Sequence, residues 1–223
     1  MLRFVLTAVL FALPLGARAQ PLNTEDDKTL YAIGYLEGQK MSVLNLKPNE
    51  AKVVQEGFHD ATTGAKAKLD VDQRRDAINK LAQARQAAGA EKEKTASKDF
   101  LAKAAQEKGA QKLPSGLVFK VIRPGKGPSP KETDQVKVNY EGRLINGTVF
   151  DSSYKRGQPA EFPLNGVIKC WTEGVQKMHV GEEAQLICPS DIAYGDRSPS
   201  PLIPAGSTLI FKVELLAVNG QGQ

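Results

Sequence analysis

Val136-Lys137-Val138-Asn139-Tyr140, and after it Asn146-Gly147-Thr148-Val149-Phe150-Asp151-Ser152-Ser153, decide the fold of this chain. In the first segment apolar residues at 136, 138 and 140 alternate with Lys137 and Asn139, the period of a half-buried strand. Asn-Gly is the strongest short signal for a tight hairpin turn, because both positions tolerate positive φ. The chain therefore turns at 146–147 and returns as a second strand through Thr148, Val149 and Phe150.

Working outward from this hairpin, Val118 to Ile122 reads as an earlier strand. Phe162-Pro163-Leu164 reads as a short edge segment, since proline is poorly tolerated in a central strand. Trp171 to Met178 suits one short helix ending near Gly181. Glu183 to Cys188 and Thr208 to Val218 supply further strands, and Asp191 to Pro204 is a loop with prolines at 199, 201 and 204. The expected class is α+β: a small antiparallel sheet wrapped on one short helix, covering residues 113–219.

Composition changes near Lys112. Before it the chain is rich in Ala, Lys, Glu and Gln; after it come Val, Ile, Phe, Tyr, Gly and Pro. Such a shift predicts a helical module ahead of the β-rich one. Thr24 and Asp27 resemble a capping pair opening a first helix, with Leu30, Ile33 and Met41 on one side. Gly34 and Gly38 leave room for another backbone. Pro48 suits the first turn of a second helix carrying Val53, Val54 and Phe58, with Gly64 as its stop. Residues 20–69 thus form one helical module. Asp70 and Gln73 look like a second capping box, opening a proline-free run across 70–112. That run is long and polar, so it reads as a solvent-exposed stalk. The short helices carry too little apolar surface to fold alone, and a second copy would complete their core. The alternative is that they fold back on their own long helix, because no sustained heptad repeat is present.

Residues 1–19 stand apart. Arg3 is followed by an apolar run from Phe4 to Leu15 and by Ala17-Arg18-Ala19, an A-x-A cleavage site, so a secretory signal peptide is expected. The apolar run is shorter than the ~20 residues of a spanning helix. The formal net charge is +5, but the basic residues are interspersed with acids. With neither a zinc-ligand pattern nor an aromatic RNA-binding signature, a nucleic-acid role is disfavoured. Two cysteines, Cys170 and Cys188, entering an oxidising compartment allow one disulfide; two buried free thiols remain the alternative.

The β-rich module holds aromatic groups, a carboxylate at Asp151 and a phenol at Tyr194. It has no evident histidine base, activated nucleophile or metal cluster. His179 reads as a surface residue, and His59 lies in the helical module without an evident partner. Tyr140, Phe150, Phe162, Trp171, Tyr194 and Phe211 form either an aromatic cup for a ligand or simply a core, since aromatics dominate core burial. Such a site suits a reaction that makes and breaks no covalent bond.

Phe150-Asp151-Ser152-Ser153, Gly174-Val175 after Trp171, Ala193-Tyr194-Gly195 and Leu209 to Leu216 resemble the FKBP-type peptidyl-prolyl isomerases, in order and without large gaps from about Leu113 to Val218. The helical module looks like the amino-terminal part of the exported macrophage infectivity potentiator-type members, notably at Tyr31-Ala32-Ile33-Gly34. The resemblance implies rotation about Xaa-Pro bonds, with no cofactor or metal. It implies Trp171 as pocket floor, Tyr140, Phe150, Val167, Ile168 and Phe211 as walls, and Ile203 at the rim, with Phe162 also in contact with substrate. It implies that the Ile168 N–H and the Tyr194 hydroxyl donate to substrate or macrolide carbonyls. Asp151 would face the polar side of the twisted amide, and Arg156 would pair with Asp151 or Tyr194. Rapamycin-type macrolides are implied as ligands. Clients would be unfolded or flexible exported polypeptides, and residues 20–69 would make a homodimer. Periplasmic location is the first expectation, with the outer membrane or the medium as alternatives.

Three positions depart from the family pattern. Ala160 stands where small cytosolic members carry phenylalanine, Cys170 where glycine is common, and the rim from Arg197 to Pro204 is its own sequence. With Cys188 expected on a core-facing strand, a Cys170–Cys188 bridge would tie the Trp171 helix to the sheet. The competing functional reading is a chaperone or host-interaction module that holds proline-containing segments with little turnover.

Overall fold

In the computed structural model residues 21–222 are described, so the expected signal at 1–19 lies outside them. The described residues divide into two compact units, one ending at Gly38 and the other starting at Gln39.

The first unit is built on helix α1, Glu25–Lys40. Thr24 and Asp27 cap it reciprocally: Thr24 Oγ1 accepts the Asp27 N–H at 3.0 Å and the Asp27 carboxylate accepts the Thr24 N–H at 2.9 Å. These bonds hold the Asp27 carboxyl below the usual carboxylate range. No residue of α1 is buried.

The second unit begins with a 3-10 turn at Ser42–Leu44, helix α2 at Pro48–Thr63 and helix α3 at Arg75–Ala105. Pro48 occupies the first turn of α2, and Gly64 ends it in the left-handed region. Glu50 accepts the Lys47 N–H at 2.8 Å and pairs with Arg85 of α3 at 2.7 Å. The Arg85 and Lys47 bonds lower its pKa to about 2. This pair anchors α2 on α3, yet α2 also buries no residue.

Helix α3 starts later and ends earlier than expected. Asp70 accepts the N–H groups of Asp72 and Gln73, but it opens a 3-10 turn at Asp72–Arg74 rather than the helix itself. The α-helix has 31 residues, about 45 Å of length. It is not solvent-exposed throughout. Ile78 and Leu81 are about half exposed, whereas Ala90, Ser97 and Ala104 are buried. The physical reason is the alanine content: a stripe of small side chains lets the helix approach another surface closely even where large apolar groups are few.

The remaining chain forms an eight-stranded sheet. Its strands are β1 Ala110–Lys112, β2 Val118–Arg123, β3 Gln135–Leu144, β4 Val149–Ser152, β5 Ala160–Pro163, β6 Glu183–Cys188, β7 Leu209–Val218 and β8 Gln221–Gly222. The path is β1-β2-β6-β7-β3-β4, with β5 on β3 and β8 on β7, and the paired strands are antiparallel. Two helices are inserted: α4 Ser153–Arg156 and α5 Lys169–Val175. The expected hairpin forms at Asn146-Gly147, where the Asn146 side chain accepts the Thr148 N–H at 3.0 Å. The short strands β1 and β8 carry too little pattern to be read from sequence. Helix α5 begins two residues before Trp171 and ends three before Met178.

The two faces of the sheet have different covers. On one, Val136, Val138 and Tyr140 of β3, Leu186 of β6 and Phe211, Val213 and Leu215 of β7 meet Trp171 and Val175 of α5. On the other, Val118, Ile187 and Ile210 form a second cluster with Ala104, against which Phe100 and Leu101 also lie. The last turns of α3 are therefore the roof of that second face. Alternation along the strands sends successive side chains to opposite faces, so both clusters follow from one strand set.

Candidate active site

A cleft of about 510 Å³ opens on the first face, lined by Tyr140, Phe150, Asp151, Phe162, Gly166, Val167, Ile168, Trp171, Tyr194, Pro199, Ser200, Ile203 and Phe211. Every cup residue expected from the sequence and every wall residue implied by the resemblance lies in this lining; of the expected rim 197–204, Pro199, Ser200 and Ile203 reach it. Arg156 does not line it but reaches it through its guanidinium. Gly166 is the one lining residue the sequence does not single out.

Trp171 is 4% exposed and sits at the centre of the aromatic set. Tyr140, Phe211 and Phe162 meet it edge-on, with ring centroids at 5.2, 5.3 and 5.7 Å. Phe150 in turn meets Phe211 edge-on at 5.7 Å. Edge-to-face contacts set ring orientation as well as burying area, so the walls are mutually fixed. Gly142 makes this packing fit, because a Cβ there would lie 2.6 Å from the Phe150 ring.

The Asp-Ser-Ser run has a local physical meaning. Ser153 Oγ, fully buried, accepts the Tyr140 N–H at 2.9 Å and reaches Asn139 Oδ1 at 3.2 Å, which clamps the end of β4 onto β3. Ser152 caps α4 by accepting the Lys155 N–H. One turn of helix then brings Arg156 back over the strand end. Its guanidinium pairs with Asp151 and donates to the Tyr140 hydroxyl at 3.0 Å, lying 5.4 Å from the centroid of that ring. The Tyr140 hydroxyl donates to Asp151. Arg156 thus pairs with Asp151 and Tyr140 rather than with Tyr194, because the short α4 returns it to its own strand end. Burial, and secondarily the bond to Asp151, raises the Tyr140 pKa. Burial also raises the Tyr194 pKa, with the Asp151 charge adding to it.

Val167 and Ile168 enter the cleft on extended backbone after the 3-10 turn Leu164–Gly166. The Ile168 carbonyl accepts the N–H groups of Trp171 and Thr172, starting α5. Cys170 and Cys188, both fully buried, are joined by a disulfide with Cα atoms 5.7 Å apart. The bridge ties the residue before Trp171 in α5 to the end of β6. Ala160 lies partly buried against the core. Among the described residues, no group of three or more histidine, cysteine, aspartate or glutamate side chains is placed to hold a metal ion. His179 is exposed beside Ser129 and the Gly127 carbonyl, away from the cleft.

An apolar, mutually braced box with one polar edge and no histidine or cysteine nucleophile in its lining suits stabilisation of a distorted amide better than proton or acyl transfer. Comparison with known proteins agrees. Residues 127–216 match the model of the FKBP-type peptidyl-prolyl cis-trans isomerase family, and residues 26–121 match that of the domain amino terminal to such isomerases. The chain is 40% identical over 206 residues to the FKBP-type 22 kDa peptidyl-prolyl cis-trans isomerase of Escherichia coli, covering 88% of this chain and 97% of that one. It is 37% identical over 233 residues to the peptidyl-prolyl cis-trans isomerase Mip of Coxiella burnetii, covering 98% and 99%. The crystal structure of FkpA from Escherichia coli superposes with a TM-score of 0.64 at 36% identity, covering 89% of this chain and 98% of that one. The chain is therefore an FKBP-type peptidyl-prolyl cis-trans isomerase of the Mip-like group.

Proposed function

We propose that the Trp171 cleft is where this isomerase turns the Xaa-Pro bond, acting on unfolded or flexible exported polypeptides. The carrying observation is the braced aromatic box with Asp151 on its rim. Uncatalysed rotation faces ~18–20 kcal/mol because the amide loses resonance. In the twisted state the nitrogen is pyramidal and the carbonyl less dipolar, so an apolar enclosure favours it over the planar forms. Trp171 lies under the proline ring, and Tyr140, Phe150, Val167, Ile168 and Phe211 hold the twisted shape more tightly than either planar one. Phe162 and Ile203 contact the flanking residues. The Ile168 N–H and the Tyr194 hydroxyl hold substrate carbonyls. Asp151, fixed by Tyr140 and Arg156, faces the polar side of the twisted amide. No proton is transferred. Family membership and the complete cleft favour turnover over a site that merely holds proline segments.

Exchange of a Leu-Pro or Phe-Pro peptide followed by NMR tests this. Acceleration is expected to be nearly flat from about pH 6 to about pH 9, because the lining has no imidazole and its phenols are pushed up. Rapamycin is expected to block it. A rate following a single ionisation near about pH 6.5 would point to a histidine and overturn the non-covalent reading.

The export reading has physical support in the disulfide, which persists in oxidising compartments, and in the A-x-A signal. Periplasmic residence follows most simply; no described helix is long and apolar enough to cross a membrane. Residues 20–69 are assigned to a homodimer. Leu30, Ile33 and Leu36 of α1, and Val53 and Phe58 of α2, are each more than half exposed. Two linked sites would raise effective concentration on a long client. Sedimentation equilibrium should give twice the mature chain mass, and Leu30→Glu with Phe58→Glu should give the single-chain mass. A wild-type monomer at micromolar concentration would end this assignment.

A further inference from the structure

The loop after β6 brings Tyr194, Pro199, Ser200 and Ile203 to the cleft. Its base is closed by the Gly206 N–H donating to the Gly195 carbonyl at 2.9 Å, and its tip by Ser198 Oγ, 2.7 Å from the carbonyls of Ser200 and Ile203. The side of the loop facing away from the cleft meets α3. Gln86 Nε2 donates to the Asp196 carbonyl at 2.8 Å, and Lys94 Nζ lies 2.6 Å from the Asp196 carboxylate. Between them Ala90, 1% exposed, lies against Gly206. A Cβ at Gly206 would fall 2.4 Å from the Ala90 carbonyl oxygen, and the residue has φ +77°. Gln86, Ala90 and Lys94 are spaced i, i+4, i+8, so they form one stripe of the helix.

This stripe holds the two ends of the loop, at 196 and at 206. The middle is not held in the same way. Ser198, Pro201 and Pro204 border a cavity of about 420 Å³, walled on its other side by Ser42, Asn45 and Arg85. Ile203 holds the cleft-facing side of the loop in the main core cluster; on the side facing α3, with open space behind its middle, the loop is held at its two grips.

We propose that α3 is a positioning element of the isomerase site. Gln86, Ala90 and Lys94 set where the loop carrying Tyr194 and Ile203 stands, and hence how tightly the cleft takes the residues flanking substrate proline. None of the three lines the cleft. The proposal rests on the reading of the Trp171 cleft as the catalytic site. Loop contacts with flanking residues are made in the planar and the twisted states alike, so loosening them raises KM and leaves kcat nearly unchanged. The connecting helix is then a determinant of substrate affinity and not merely a spacer.

The test uses the full-length protein with Lys94→Ala, Lys94→Arg, Ala90→Leu and, as control for the cleft, Asp151→Leu. Steady-state isomerisation is measured together with amide hydrogen exchange. For Lys94→Ala we expect KM to rise about two- to fivefold, the size of a part-exposed ion pair, with kcat within twofold. Lys94→Arg should restore it. Ala90→Leu, which drives a large side chain into the Gly206 contact, should raise KM about tenfold. Exchange should quicken in residues 195–207 and not in the sheet. Wild-type KM and wild-type loop exchange in both Lys94→Ala and Ala90→Leu, with Asp151→Leu impaired, would overturn the proposal while leaving the cleft assignment standing. So would a fall in kcat that tracks KM and a lowered melting midpoint in Lys94→Ala. An unimpaired Asp151→Leu would remove the cleft reading, and this proposal with it.

Discussion

Replacing Asp151 with leucine should lower kcat/KM for a Leu-Pro peptide about 30-fold, the equivalent of ~2 kcal/mol. The carboxylate accepts from the Tyr140 hydroxyl and pairs with Arg156. Charge-assisted bonds of this kind are worth ~1.5–3 kcal/mol each when sheltered. The value is discounted here because the Asp151 side chain is 40% exposed. Without it the Tyr140 hydroxyl loses its acceptor, and the Arg156 guanidinium is released beside an aromatic wall. The loss therefore falls on the polar edge of the cleft, while the buried Trp171 box and the melting midpoint stay close to wild type. Asp151→Asn keeps one acceptor oxygen, replaces the other with a donor NH2 and removes the charge, so its rate should fall between the two. Peptide exchange by NMR, paired with thermal melting, checks the series. A leucine variant with wild-type turnover would mean that the carboxylate does not act on the rotating bond.

Opening the Cys170–Cys188 bridge should cost about 3 kcal/mol by the loop-closure estimate for its sequence separation of 18. For a domain of this size that is roughly 10–15 °C in melting midpoint. Both cysteines are fully buried, so Cys170→Ala with Cys188→Ala is the cleaner variant, since serine would add buried hydroxyls without partners. Activity should fall with it at temperatures near the new midpoint, because Cys170 holds the first turn of α5 under Trp171. Calorimetry of the double variant, and of wild type with and without reductant, measures the shift. Thiol titration of the unfolded, unreduced protein should find no reactive thiol; two per chain would show that the bridge is not formed in solution.

The degree to which the sequence could be read varied with the kind of interaction. Alternation at Val136, Val138 and Tyr140 together with Asn146-Gly147 was enough for the central hairpin, because strand period and turn chemistry are local. The Thr24–Asp27 cap, Pro48 and Gly64 were legible for the same reason. The aromatic set was legible as residues but not as a site. Composition alone favoured a plain core over a cup, and family motifs were needed to reverse that choice. The pairing of Arg156 depended on one turn of α4, whose length was set by the caps Ser152 and Gly157. Helix α3 was read as an exposed stalk because its large apolar residues are few. Alanine carries almost no hydrophobic signal along the chain, yet Ala90 and Ala104 are buried because their small size lets a backbone come close.

The sequence by itself determined the α+β class, the order of the longer strands along the chain, the change from helices to strands near Lys112 and the residues available for an aromatic pocket. These follow from periodicity, turn propensity and composition, each of which acts over a few residues. Only the tertiary structure decided which partner Arg156 takes, that α3 roofs the second face of the sheet, and that Gln86, Ala90 and Lys94 grip the loop bearing Tyr194. Those contacts join residues as far apart as Gln86 and Asp196. Close approach between distant segments depends on the size of both surfaces and the path of the backbone between them, which no local pattern records.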